Sequence, residues 1–458
     1  MKQETIIYKD VVVIGAGLTG LTAAFYLKKR GRDIQILEQN DRTGGQIQTF
    51  REGDFVFESG PNTGAISNPE VAELFSDLSP DCELEIAKAE AEIRYIWKGN
   101  KFHKLPSGLI GGVMTPLFSF PDKFRILGEP FRKKGTNPDE SVGELAARRL
   151  GKSFLDYAVD PFVSGVYAGN PMTLTTRYAL PKLYHLEQDY GGFIRGSIAK
   201  AKEPKTARDR LATKKVFSAQ DGLSSLTDAL AKRVGNEQIS LSVHDILIVP
   251  EGSGWKVTFS TPEGKQTILA QKILSTVGAY SLPGLFPFID KTEMEHIACL
   301  RYAPVIQVSV GIRDTGSKRI DGFGALVPSR EQQQILGVLF PAACFKGRSP
   351  ERGTLLSFFL GGVRHRDMIE YTDGQLEEIV VHGLYDMLKL PVAVRPDMIR
   401  IFRHPRAIPQ YEQNSGERLD AIRRIEARYE GLSLAGNSRD GIGMAHRILQ
   451  GTELGKSL

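Results

Sequence analysis

An α/β fold whose nucleotide domain is split along the chain is predicted by three observations. Val11–Ile14 is an unbroken apolar run of the kind a parallel sheet buries on both faces, and the glycine-spaced stretch Gly15–Gly20 follows at once. A second strand-like run, Asp33–Leu37, ends in Glu38. More than 400 residues downstream, Leu432–Gly451 repeats the order of strand, glycine loop and helix start.

The remaining elements follow in order. Thr19–Arg30 reads as a helix with Leu21, Ala24 and Leu27 inward, which completes one βαβ unit of a doubly wound sheet. The sheet is then interrupted. From Phe102 to roughly Lys205 the chain is rich in Pro, Gly and basic residues, with a helix at Asp139–Leu150. Gly222–Gly235 is a helix with Leu223, Leu226, Leu230 and Val234 on one face. Ile239–Val249 and Trp255–Ser260 read as strands joined by a Pro250–Gly254 turn, and Gln271–Val277 as a further short strand. Ile306–Ile312, Ile335–Phe340 and Thr354–Leu360 are apolar and β-rich, suggesting a second sheet. Glu417–Tyr429 is a charged amphipathic helix before the closing segment. The expected architecture is a discontinuous Rossmann-like domain over 1–65, 215–285 and 405–458. A β-rich substrate domain covers 66–101 and 286–404, and a helical insertion covers 102–214.

The totals agree with several domains, since 458 residues exceed what one core holds. A net charge of +5 is too mild for nucleic acid, and suits anionic ligands or an anionic membrane surface. Cys82, Cys299 and Cys344 form no CxxC pair, so a reducing, cytoplasmic compartment is expected and a metal site is not. Lys2, Glu4, Lys9 and Asp10 interrupt any signal segment. The longest uncharged run, Leu105–Pro121, is broken by Pro106, Gly108, Gly111, Gly112 and Pro116, which excludes a spanning helix. With nearby Lys123, Arg125, Arg132, Lys133 and Lys134 it reads equally as a lipid-facing surface or as a core or substrate-channel wall.

Gly15-Ala16-Gly17-Leu18-Thr19-Gly20 matches GxGxxG between a strand and a helix. Gly15 permits the tight turn, Gly17 admits a pyrophosphate to the backbone, and Gly20 lets helix and strand pack closely. Glu38, 18 residues after Gly20, is placed to accept ribose hydroxyls. Gly44-Gly45, followed by Gln46, lets chain run beside a diphosphate. Phe57–Asn62 is stiff and small. Gly60, Pro61, Asn62 and Thr63 could lie against a flavin ring, although Asn after Gly-Pro is also an ordinary turn residue. Gly436-Asn437 and Ile442-Gly443-Met444 open a second helix, whose N-terminus would stabilise negative charge on a reduced flavin. One ligand long enough to need both helix ends is FAD. No Cys follows Cys344, and His404 and His446 read as surface or supporting residues, so the FAD is expected to be non-covalent.

Asp160–Pro171 (DPFVSGVYAGNP), Leu186-Glu187, Gly322–Pro328, Leu336–Phe340, Phe359–Gly362 and His404–Gln410 resemble, in order, the FAD-dependent, oxygen-dependent protoporphyrinogen oxidase family of the amine oxidase group. The resemblance runs from Val11 to Gly451. It implies FAD, substrate and membrane-facing helical domains, usually dimeric and peripheral to a membrane, here the inner face of the cell membrane. It implies oxidation of a porphyrinogen to the porphyrin in three two-electron steps, each a hydride transfer to flavin, with dioxygen or another acceptor reoxidising it. It implies that Asn62 sits beside the reacting macrocycle and that the Ala168-Gly169 backbone lines the pocket. Arg94 would pair with a substrate propionate, Leu326 and Leu339 would sandwich a pyrrole, and Phe359 would stack on another. Gln46 departs from the family group, where Arg is common after the paired glycines.

An apolar macrocycle with carboxylate tails needs apolar walls and few cations, and Arg matches a carboxylate with its planar fork. Coproporphyrinogen III, with four propionates, would need more cations, for which Lys98, Lys104 and Arg195 are candidates. A general amine oxidase or carotenoid desaturase is a further reading. Against the first stands the lack of an aromatic pair beside Asn437-Ser438. A scaffold that has lost its flavin is opposed by the intact glycine turn, Glu38 and the GIGM loop.

Overall fold

The structure is a computed structural model describing residues 6–106, 111–112 and 114–458. The run 105–121 therefore lies partly outside the described residues.

The first strand, Ile6–Ile14, buries Val11–Ile14 almost completely. It pairs in parallel with Ile34–Leu37 on one side and with the second half of Gly264–Ser275 on the other. Leu432–Leu434 adds in parallel beyond Ser275, and Ile239–Ser240 adds beyond Ile34–Leu37. The hairpin His244–Glu251 and Gly254–Thr261 extends the sheet antiparallel from the first half of Gly264–Ser275. Ile239–Val249, read as one strand, is thus two. Ser242 adopts left-handed backbone (φ 54°) and breaks the run, and Asp245 (φ 55°) marks the register shift inside the second strand. The strand expected at Gln271–Val277 begins earlier, at Gly264, because its first half belongs to the hairpin.

The helix Leu18–Lys29 is buried from Leu18 to Leu27, so it is covered on more than its sheet face. Part of the cover is the last helix, Met444–Ser457. Gly451 abuts Thr19 and Thr22, and Gly455 abuts Ala23 and Tyr26, so the two helices run the same way. On that register the last helix starts about 7 Å beyond the first, at the same end. Both N-termini therefore open at the carboxyl ends of the parallel strands, where such sheets bind ligands.

The second sheet, seven-stranded among the described residues, has the order Met398–Pro409, Tyr302–Ile312, Thr354–Gly361, Ile335–Leu339, Gly324–Leu326, Arg94–Lys98, Lys101–Lys104. Ile306, Val308, Val310, Leu356, Phe358 and Leu360 face one way and pack with Leu376 and Val380 of the helix Asp373–His382. Of the alternate residues, Gln307, Leu355 and Ser357 face the segment Phe55–Asn62. All eleven residues of Tyr302–Ile312 are buried, since both faces are covered.

The insertion is helical: Phe120–Leu127, Val142–Arg149, Asp160–Tyr167, Pro181–Tyr190 and Phe193–Lys202. Arg149 is fully buried between Glu129 (Nε to Oε1, 2.8 Å) and Glu187 (Nη1 to Oε1, 2.5 Å). Glu129 also accepts from the backbone N–H of Phe193 and Ile194, so every charge in this hub is answered. Among the described residues no helix is long and apolar enough to cross a membrane.

Candidate active site

The glycine turn is built as its spacing requires. Gly15 has φ +103°, and a Cβ on Gly20 would sit 2.0 Å from the Gly15 carbonyl oxygen. Only glycine allows so close a contact between turn and helix. At Gly17 an added Cβ would meet no protein atom within 4 Å, so the backbone there faces open space. Gly44 N–H donates to Ala16 O (2.9 Å), and a Cβ on Gly45 would lie 3.1 Å from Gly17 Cα. The paired glycines therefore flank the turn, and Gln46 is exposed beside them. Glu38 is buried; its Oε2 accepts from Ala16 N–H (2.7 Å) and its Oε1 from Asn40.

Both helices that open here lack ordinary caps. Leu18–Lys29 begins at Gly17 and Met444–Ser457 at Gly443, with no side-chain cap and no acidic residue in either first turn. Other helices, such as Pro69–Leu78, Ser224–Val234 and Ser415–Arg428, also lack a side-chain cap; what sets these two apart is that both open at the carboxyl ends of the parallel strands. Uncapped N–H groups and a positive dipole end suit an anionic ligand. The Thr19 hydroxyl is buried here without a partner. These features fit a dinucleotide that stretches from the Gly17 end to the Gly443 end.

At that second end Gly436 has φ +90° and donates its N–H to Gln450 Oε1 (2.8 Å). Asn437 is held by two tyrosines: Tyr302 OH donates to its Oδ1 (3.3 Å) and Tyr411 OH to its carbonyl (2.6 Å). Arg418, 1% exposed, donates to Ser438 O (2.9 Å) and leaves Nη1 without a partner. The loop through Ile442 and Gly443 to Met444 thus rests on a rigid, electropositive base.

Gly60, Pro61, Asn62 and Thr63 lie between the two sheets. A Cβ on Gly60 would overlap the Gln46 carbonyl at 2.0 Å, so this segment is pressed against the glycine loop. Asn62 is buried; Nδ2 donates to Gly60 O (3.0 Å) and Oδ1 accepts from Ser357 Oγ (2.8 Å). Ser357 shares a sheet face with Phe359. Across the register that face continues through Gly337 and Leu339, then Gly324 and Leu326, to Arg94 and Ile96. Leu326 packs on the insertion with Ile96 and Tyr157, and its Cδ2 would meet a Cβ on Gly165 at 2.3 Å. Arg94 is exposed, with its guanidinium 5.3 Å from the Phe323 ring centre. Phe359 neighbours Ala168, which has left-handed φ (+46°). A Cβ on Gly169 would lie 2.6 Å from Gln410 Oε1. Arg94, Leu326, Leu339, Phe359 and the Ala168-Gly169 turn are therefore brought together around the face that holds Asn62.

The holding is done by Gln307, Ser357 and Arg364, which the sequence did not single out, together with Glu58, His404 and Asp160. Glu58, buried before the Gly-Pro, accepts from Leu223 N–H (2.9 Å) and Thr49 OH (2.7 Å), and burial pushes its carboxyl up to about 7. Gln307 Nε2 donates to Glu58 O (2.5 Å). His404, read as a surface or supporting residue, donates Nε2–H to Ser59 O (2.5 Å), and burial lowers its pKa. Arg364 pairs with Asp160 (2.7 Å) and reaches Ser164 and Asn170, which ties the helix Asp160–Tyr167 to the sheet. Polar residues inside apolar strands, Gln307 in VIQVSV and Ser357 in LLSFFL, were the available signal.

The fold and the two-helix site define a flavin-dependent oxidoreductase. The family described as flavin containing amine oxidoreductase matches residues 18–451, and the chain belongs to it; FAD is its cofactor. The chain is 30% identical over 466 residues to the chloroplastic protoporphyrinogen oxidase of Nicotiana tabacum, covering 96% of this chain and 83% of that one. It is 25% identical over 466 residues to the coproporphyrinogen III oxidase of Bacillus subtilis (strain 168), covering 97% and 96%. A solved structure from Exiguobacterium sp. 255-15, described provisionally as a protoporphyrinogen oxidase, shares the fold with a TM-score of 0.80 at 23% identity over 98% of each chain.

Proposed function

We propose that the protein oxidises protoporphyrinogen IX to protoporphyrin IX in haem biosynthesis, with dioxygen reoxidising the non-covalent flavin. The observation that carries this reading is the common sheet face of Arg94, Leu326, Leu339 and Phe359, which also bears the serine holding Asn62. That face offers apolar walls for a macrocycle and a guanidinium at its edge for a carboxylate tail. FAD supplies the hydride acceptor. The chain's own residues position the substrate, exclude water and hold polar hydrogens in place. His404 holds the Ser59 carbonyl and Glu58 accepts from the helix start at Leu223, so both hold the segment that carries Asn62. Pyrrole N–H protons leave to solvent as conjugation forms.

Coproporphyrinogen III is the second reading, and it would need further cations. One candidate for them, Lys98, is committed: its Nζ donates to Pro116 O and Leu117 O, both at 2.9 Å, and lies over the Tyr157 ring. Lys104 and Arg195, both exposed, are left as the candidates for the two further carboxylates. The insertion carries exposed Phe120, Phe124, Leu127 and Phe131, which supports peripheral contact with a membrane. Anaerobic reduction of the purified protein by the two porphyrinogens in parallel tests the reading. Faster loss of the flavin's visible band with protoporphyrinogen IX is expected. Faster loss with coproporphyrinogen III would reassign the substrate, and loss with neither would overturn porphyrinogen oxidation.

A further inference from the structure

The Asn62 amide is held at both ends, and the two contacts together fix which way it faces. Turned over, Oδ1 would meet the Gly60 carbonyl oxygen to oxygen, where Nδ2 now donates at 3.0 Å. Gly60 therefore selects the amino group. A serine hydroxyl can donate or accept, but with the amide so oriented Ser357 must donate to Oδ1 (2.8 Å). Ser357 is fully buried in Thr354–Gly361, so water does not compete for this bond. The next two strands fix the backbone of the same segment. Gln307 holds the Glu58 carbonyl and His404 the Ser59 carbonyl. Gln307 lies directly across from Phe359 and Phe402, so the latch and the apolar wall belong to one surface.

The geometry points to Ser357 as a positioning residue: its hydroxyl keeps Asn62 facing the site as a hydrogen-bond donor, with one amide N–H left unused by the protein. Remove the hydroxyl and Oδ1 becomes a buried acceptor with no partner, free to pull the amide out of its orientation. A donor beside the flavin also favours the electron density that reduction places on the ring. For its substrate this inference rests on the porphyrinogen reading; the coupling of Ser357 to Asn62 does not.

The test is a cycle of S357A, N62A and the double variant in the FAD-loaded full chain, with flavin content confirming the fold. S357A is expected to lower kcat roughly ten- to a hundredfold with little change in KM. The double variant should be no worse than N62A. The midpoint potential of the bound flavin, measured without substrate, should fall in all three and by less than the sum in the double variant. If S357A does not accumulate, S357C, slightly larger and only a weak donor, carries the same expectation. Native kcat and potential in S357A, or additive effects in the double variant, overturn the inference. Should no porphyrinogen reduce the wild-type protein, the substrate reading falls, and the potentials still decide the coupling.

Discussion

At Gly17 an added Cβ would meet no protein atom within 4 Å, and the backbone φ of −75° suits any residue. The fold itself therefore tolerates substitution there, and the ligand does not. Gly17→Val should leave the circular dichroism of the apoprotein intact while abolishing flavin binding; a variant purified yellow would count against the pyrophosphate position. Arg94→Ala should raise KM about tenfold with kcat nearly unchanged, because a contact to a carboxylate tail persists from ground state to transition state. An unchanged KM would remove Arg94 from the substrate. Glu58 makes a prediction in pH. Burial raises its carboxyl from 4.5 to about 7, so the folded state binds the proton more tightly than the unfolded chain. Its stabilisation is complete below 4.5 and is lost as pH rises through about 7. Across that window the native protein should lose up to about 3 kcal/mol relative to Glu58→Gln in urea unfolding. A constant difference between the two would mean that folding does not shift the Glu58 carboxyl.

The parallel pair of helices, Leu18–Lys29 and Met444–Ser457, is the element on which cofactor geometry depends. Replacing a helical glycine by alanine ordinarily stabilises by about 1 kcal/mol. At Gly451 the new methyl would lie 2.7 Å from the Thr19 carbonyl oxygen and 2.7 Å from Thr22 Cβ. Gly451→Ala should therefore destabilise, by about 1–3 kcal/mol, and weaken flavin retention because the two N-termini move apart. A stabilised variant would show that the helices slide freely. The sequence announced these helices because their signals are local: glycines at turn spacing, an apolar strand before them, a carboxylate closing the next strand. Met398–Pro409 was not announced. MIRIFRHPRAIP carries four arginine or histidine residues and two prolines, and it becomes a strand by pairing with Tyr302–Ile312 at the sheet edge. The hairpin Arg94–Lys98 and Lys101–Lys104 was hidden in the same way, since Arg94 pairs with Gly324, far along the chain. Individual wall residues came through the family's segments. The latch of Gln307, Ser357 and His404 could not, because it consists of contacts between residues up to 345 positions apart.

For the whole molecule, the insertion joins the two sheets to a surface that none of the described residues covers. Its helices are tied to one another by the Glu129–Arg149–Glu187 hub, and the Asp160–Arg364 pair ties them to the second sheet, so the outer face is presented on a fixed base. On that face Phe120, Phe124 and Leu127 stand at helical spacing and are 71%, 69% and 69% exposed, and Phe131 is 83% exposed. The helix Phe120–Leu127 has no buried residue, the reverse of an ordinary amphipathic helix on a globular core. Around it Lys133, Lys134 and Arg195 are exposed, Arg195 lying 5.8 Å from the Phe131 ring centre. Apolar rings ringed by cations match an anionic lipid surface, where each buried ring contributes about 1.5–3 kcal/mol and each nearby cation about 1 kcal/mol. The protein should sediment with vesicles containing phosphatidylserine, less with phosphatidylcholine alone, and less again as salt rises. Phe124→Asp should lower the partition coefficient at least tenfold, since the loss of one ring exceeds about 1.4 kcal/mol, while flavin content stays native. Equal binding to neutral and anionic vesicles would remove the cations from the contact. No binding to either, with the protein sedimenting as a dimer that Phe124→Asp dissociates, would give this surface to a second copy of the chain instead.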